Sequence, residues 1–221
     1  MNIQYYGDFC FKISTKPAGR ATDDVVIWTD LLPKGAGLRS PQGNVDIVFL
    51  SHQSEDEGKD KDAFKEETVV FDAPGEYAVK GISAFGFPSY RDLEEGKTRG
   101  QNTIFIFDSE DLHICYLGAL GSDLSPELLD KLSGVDVLFI PVGGVDTLDV
   151  KRAIELSRKI EPSIIIPMHY KIPGLTLALE TEKAFCDAIG NCPNEAVTKL
   201  SIKKKDLEGK VMEVVLLERG A

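Results

Sequence analysis

At 221 residues, with 43% hydrophobic and 28% charged side chains, the chain can bury a substantial core and has an ordinary globular balance. Its formal charge of −11 argues against a nucleic-acid partner held by bulk electrostatics, yet leaves room for a small anionic molecule held by one or two arginines. No run approaches the roughly 18 apolar residues of a membrane span, and the start, Met1 to Tyr6, has no basic segment followed by an apolar one.

Residues 3–14 alternate and then run apolar, with Gly7-Asp8 breaking the middle, so two strand pieces around a bend are expected. Residues 25–29 form the next strand, ended by Asp30. After a Gly-rich loop, 45–50 reads as a strand buried on both faces. From Glu55 to Glu67 nearly every residue is charged, which fits a solvated loop or a short exposed helix. Strand signals return at 68–71. They recur over 77–88, with Lys80-Gly81 as the turn, and again at 103–107 and 112–117. Ser125-Pro126 opens a helix that Gly134 closes. Val135–Ile140 is a buried strand, 147–160 has helical spacing before Pro162, and 163–167 is a strand ending in Met168-His169. A helix over 176–189 and a hairpin of 197–202 with 211–217 complete the chain. Strands dominate early and helices interleave later, which predicts a layered α/β domain, 1–221, and not a doubly wound sheet. The four cysteines include no C-x-x-C pair. Cys10 and Cys115 lie in apolar strands, so a cytoplasmic protein without disulfides is expected, a Cys186–Cys192 bridge being sterically conceivable.

Only three histidines are present, which excludes a His-rich metal site. His113 lies within a strand and reads as a strand-face residue. His52 and His169 each follow the C-terminal end of an apolar strand, where side chains converge at a sheet edge. Asp56, Glu57 and His169 supply two carboxylates and an imidazole, enough for a mononuclear site with positions open to water. Zinc, manganese or iron would suit it.

The segment Ser51-His52-x-Ser54-x-Asp56-Glu57 resembles the H-x-H-x-D-H motif of the metallo-β-lactamase superfamily. The resemblance continues through Ala73-Pro74-Gly75-Glu76-Tyr77, Pro88-Ser89-Tyr90-Arg91-Asp92, Arg99-Gly100-Gln101-Asn102-Thr103, Cys115 to Gly121, Ile140 to Gly144 and Ile166 to Tyr170. Together these look like the branch of Zn-dependent hydrolases that includes ascorbate-6-phosphate lactonase. The resemblance implies an αββα sandwich with its site at one edge of two sheets. It also implies two metals on seven protein ligands, and here the chain departs from the pattern. His52, Asp56 and His169 match, but Ser54, Glu57, Arg91 and Ala119 stand where ligands are expected, and the family's N-terminal Gly-His is Gly7-Asp8.

A guanidinium has no lone pair to give a cation, and an alanine has no donor atom. The first metal position is therefore expected to be empty and the second weak. Arg91 is expected to face Asp56 and Glu57 and to replace the metal's charge. Two functions follow. One is a non-catalytic member with no cofactor and a pocket for a small anion. The other is a one-metal hydrolase of lactones or phosphoesters on Asp56, Glu57 and His169, with His52 as base or orienter. A metal-free acid–base pair of His52 and Asp56 would need a nucleophile, and Ser54 has no clear activator beyond His52. His52, Asp56 and Arg91 are thus the candidate catalytic residues, and Asp56, Glu57 and His169 the ligands of any metal.

Overall fold

The computed structural model describes residues 1–17, 24–53, 64 and 66–220. In chain order its strands are β1 (Asn2–Gly7), β2 (Cys10–Thr15), β3 (Val25–Thr29), β4 (Ile47–Phe49), β5 (Val69–Phe71), β6 (Gly75–Val79), β7 (Ile82–Tyr90), β8 (Gln101–Ser109), β9 (Leu112–Tyr116), β10 (Val137–Pro141), β11 (Ile164–Met168), β12 (Leu200–Ser201) and β13 (Glu213–Val214). The helices are α1 (Pro126–Lys131), α2 (Val150–Ile160) and α3 (Lys183–Ile189). The strands form a six-stranded sheet, β12-β1-β2-β3-β4-β5, and a seven-stranded sheet, β13-β11-β10-β9-β8-β7-β6. Both are mixed, with an antiparallel part and a parallel part.

Burial follows from position in these sheets. In β1 the alternation puts Ile3 and Tyr5 in the core while Asn2 and Gln4 stay half-buried. The interior strands β4, β10 and β11 are buried throughout, as their unbroken apolar runs require. The two sheets share one core. Phe49 of β4 meets Phe105 and Phe107 of β8 at ring distances of 4.8 and 5.2 Å, and Phe11 of β2 meets Phe139 of β10 at 4.8 Å. Each aromatic bridges the gap between layers. α2 is the crossover between the parallel strands β10 and β11 and buries Ala153, Ile154, Leu156 and Ile160. Asp149 caps it by accepting from Arg152 N at 2.8 Å, and Glu161 ends it in the left-handed region. Ser125 caps α1 in the same way, with Pro126 at its first position.

Four expectations need correction. The terminal hairpin is absent: β12 pairs antiparallel with β1, while β13 pairs parallel with β11 in the other sheet. The turn after Ser201 therefore carries the chain from one layer to the other. The helix expected over 176–189 begins only at Lys183. Before it, Thr176 N donates to Ala36 O and Glu180 N to Gly143 O, so tertiary hydrogen bonds claim the backbone that a helix would use. α1 ends at Lys131, with Leu132 as its cap, short of Gly134. Cys186 and Cys192 are bonded to each other: Gly190, at φ 82°, turns the chain back after α3 and brings the two Cα atoms to 5.2 Å. Cys10 and Cys115 are free and buried, as expected. Nearly all of the Glu55–Glu67 stretch lies outside the described residues.

The strand directions decide where the site falls. β1, β3, β4 and β5 run one way in their sheet, and β7, β9, β10 and β11 run one way in theirs. Asp8, Asp30, Ser51, His52, Arg91, Gly118 and His169 each follow the C-terminal end of one of these strands. A hydrogen bond of 2.6 Å from Thr103 N to Ser51 O ties the two sheets at that edge.

Candidate functional site at the sheet edge

The first half of the site is a buried chain of hydrogen bonds that starts at Asp30, directly after β3. Its Oδ1 accepts from Ser51 N at 2.7 Å and its Oδ2 from Ser51 Oγ at 2.5 Å and Tyr116 OH at 2.6 Å. Ser51 Oγ lies 2.8 Å from His52 Nδ1. The hydroxyl has one hydrogen, and the carboxylate takes it, so the oxygen accepts from His52 Nδ1–H. The neutral ring therefore keeps its lone pair on Nε2. Burial pushes the His52 pKa down to about 3, helped by the charges of Arg91 and His169. Burial raises Asp30 to about 6 against the opposing hydrogen bonds of Ser51 and Tyr116. Asp30, Ser51 and His52 are not a hydrolytic triad, because the serine sits between the acid and the histidine and is spent on both.

The second half centres on His169. Its Nδ1 lies 2.5 Å from Asp8 Oδ1 and its Nε2 lies 2.9 Å from Val145 O. The ring stacks on Phe9 at 4.2 Å and 10°, and Phe9 meets His52 edge-on at 5.3 Å, so one phenyl ring separates the two histidines. His169 and Asp8 are buried, and both take left-handed backbone conformations, at φ 52° and 55°.

Arg91 follows β7, and its backbone is held from two sides. Arg91 N donates to Gly100 O at 3.1 Å, and a Cβ on Gly121 would lie 2.0 Å from Arg91 O, so only glycine allows that approach. The loop that follows is wound around the Asp92 carboxylate. It accepts from the backbone N–H groups of Glu94, Gly96, Thr98 and Arg99 at 2.7 to 3.1 Å. Arg99 Nε then reaches Asp146 at 3.0 Å, joining this loop to the one after β10. The Arg91 Nε is buried and has no hydrogen-bond partner among the described residues.

Of the residues read from the sequence, the structure brings His52, Arg91 and His169 to this edge. Asp56 and Glu57, with Ser54, lie outside the described residues, and so does the expected pairing of Arg91 with the two carboxylates. His113 pairs with Asp108 at 2.6 Å on the β8–β9 ladder, in keeping with a strand-face residue. Sequence reasoning passed over Asp30, Tyr116 and the partnership of Asp8 with His169. Asp30 carried a usable signal, because it ends an apolar strand just as His52 does.

The family model described as Beta-lactamase superfamily domain matches residues 2–169. The chain belongs to that family. A UPF0173 metal-dependent hydrolase of Bacillus cereus is 26% identical over 89% of this chain and 96% of its own length. A solved structure from Thermotoga maritima, described as a Zn-dependent hydrolase of the metallo-beta-lactamase superfamily, is 29% identical with a TM-score of 0.76 over 98% of both chains. Igni18, a metallo hydrolase of Ignicoccus hospitalis, is 17% identical with a TM-score of 0.59 over 100% of this chain and 96% of its own, a likeness of fold.

The names of these relatives imply a divalent metal, and the described residues of this chain fit a dinuclear one poorly. Both nitrogens of His169 face protein acceptors, and Ala119 is fully buried without a donor atom. Arg91 brings a cation. Among the described residues no three His, Cys, Asp or Glu side chains gather as a metal-holding group.

Proposed function

We propose that this β-lactamase-superfamily chain is a non-hydrolytic member of its family whose pocket takes a small anion, with Arg91 supplying the positive charge. The observation that carries this reading is the buried Arg91 Nε, a donor with no acceptor among the described residues, whose charge also acts on His52. A buried donor left unmatched costs about 1–3 kcal/mol, and an oxyanion would remove that cost with a charge-assisted bond. The net charge of −11 supports the further expectations of no nucleic-acid and no membrane partner. No helix among the described residues is long and apolar enough to cross a membrane. A cytoplasmic site of action belongs to the same proposal and is supported by the reduced, buried Cys10 and Cys115. The Cys186–Cys192 bond stands against it, and thiol counting on protein extracted with an acid quench decides between them.

Metal content of protein purified without chelator, together with calorimetric titration of inorganic phosphate, tests the reading. Less than a tenth of an equivalent of zinc, manganese or iron is expected, and phosphate binding that Arg91→Gln weakens at least tenfold. Near-stoichiometric metal overturns it. The second reading, a one-metal hydrolase using Asp56, Glu57 and His169, is favoured by the names of the relatives. Turnover of lactone or phosphodiester substrates on addition of zinc, manganese or iron establishes it, and failure of all three ions to give turnover removes it.

A further inference from the structure

Asp8 and His169 come together across a separation of 161 positions and from different sheets. Val145 O can only accept a hydrogen bond, so the His169 Nε2 facing it at 2.9 Å carries hydrogen. The Nδ1 faces a carboxylate oxygen at 2.5 Å, and two bare acceptors do not approach that closely, so a hydrogen lies there as well. The pair thus holds one proton more than a neutral imidazole beside a carboxylate. The surroundings suit that state. The side chains are only 7% and 5% exposed, so a carboxylate there needs a compensating charge. Phe9 lies flat against the ring, a placement that favours a cation. The neighbouring backbone is drawn in around the pair. His169 N donates to Asp8 O at 2.8 Å, Val142 N donates to Met168 O at 3.0 Å, and Gly143 packs so close to His169 O that a Cβ would come within 2.0 Å.

We infer that Asp8 is a positioning residue that makes His169 a clamp and not a metal ligand. Through Nδ1 the ring holds the bend between β1 and β2, through Nε2 it holds the loop after β10, and with a hydrogen in each contact neither nitrogen is free to take a cation. The inference rests on reading the site as one without a metal at His169, and it deepens that reading by naming the group that takes the metal's place. Both residues keep left-handed backbone angles, as expected where the surrounding contacts over-determine a strained position.

The test is nitrogen-15 NMR of the histidine rings in the full chain, with His169 assigned by His52→Asn and His113→Gln variants. Two ring N–H correlations are expected for His169 at neutral pH, unmoved by equimolar zinc. Asp8→Asn keeps the size of the side chain and tolerates the left-handed φ. It is expected to retain the fold by circular dichroism and to lose one of the two correlations, since its amide donates to Nδ1. A single N–H correlation in the wild type, or a His169 signal that moves with zinc, overturns the clamp. If Asp8→Asn does not fold, the wild-type spectrum with and without zinc still decides. A clamp intact by this measure with no phosphate binding at Arg91 overturns the anion reading alone.

Discussion

His52 makes the stability of this fold depend on acid in a way that one substitution should remove. Its pKa in the folded chain is about 3, against an ordinary value of 6.5, because burial and two nearby positive charges oppose a second proton. A base whose folded pKa is depressed contributes stability that is complete above 6.5 and is lost as the pH falls toward 3. The unfolded chain takes up the proton first. At 1.36 kcal/mol per pH unit the interval is worth about 5 kcal/mol, comparable with the whole stability of many domains. By pH 4.5 more than half of that is lost, about 3 kcal/mol. In His52→Asn the amide nitrogen stands near the place of Nδ1 and can still donate to Ser51 Oγ, so the variant removes the proton site with little change in contacts. Urea unfolding of both proteins from pH 7.5 to 4 reads the difference directly. The variant should lose less stability with acid, with the gap growing by nearly one proton's worth per pH unit below 6. A gap that stays within about 0.5 kcal/mol across this range would refute the argument that His52 is buried neutral.

Asp30 has the opposite sign. Its folded pKa of about 6 lies above the ordinary 3.8, so its contribution is present below 3.8 and lost as the pH rises to 6, by about 3 kcal/mol. Asp30→Asn should therefore flatten that part of the same urea series. Gly118→Ala should cost about 3 kcal/mol in chemical denaturation. Its φ of 58° disfavours a side chain, and the new Cβ would meet Ser51 Cβ at 2.2 Å. Gly134→Ala, with φ 78° and open space around it, should cost only about 1 kcal/mol. Replacing Cys186 and Cys192 by Ser opens a loop of six-residue separation and should lower stability by about 2 kcal/mol in a thermal melt compared with the oxidised wild type.

The parts of the fold legible in the sequence were those whose periodicity is local. The β3 range is recovered in full, and the Gly7-Asp8 bend and the Lys80-Gly81 turn fall where glycine placed them. The terminal strands were not legible as a pair because their partners, β1 and β11, lie far away in sequence. Two short strands joined by a turn look like a hairpin until the sheet each belongs to is known. The residues before Lys183 have helical composition, yet their N–H groups are taken by Ala36 and Gly143, which no local window contains.

The candidate site divides in the same way. Finding His52 and His169 needed only the rule that side chains at the ends of buried strands converge, and Arg91 followed from a resemblance in motif. The hydrogen-bond partners of each histidine limit what it can do. His52 takes its tautomer from Ser51 and Asp30, two residues that occupy none of the ligand positions of the H-x-H-x-D-H pattern. His169 takes its role from Asp8, 161 positions away. The same imidazole is a ligand when one nitrogen is left with a lone pair and a clamp when both face acceptors. Replacing a histidine by an aspartate at position 8 is therefore more than the loss of one family residue. It places a carboxylate against a nitrogen that carries hydrogen, and it thereby alters what His169 can do without changing His169 itself.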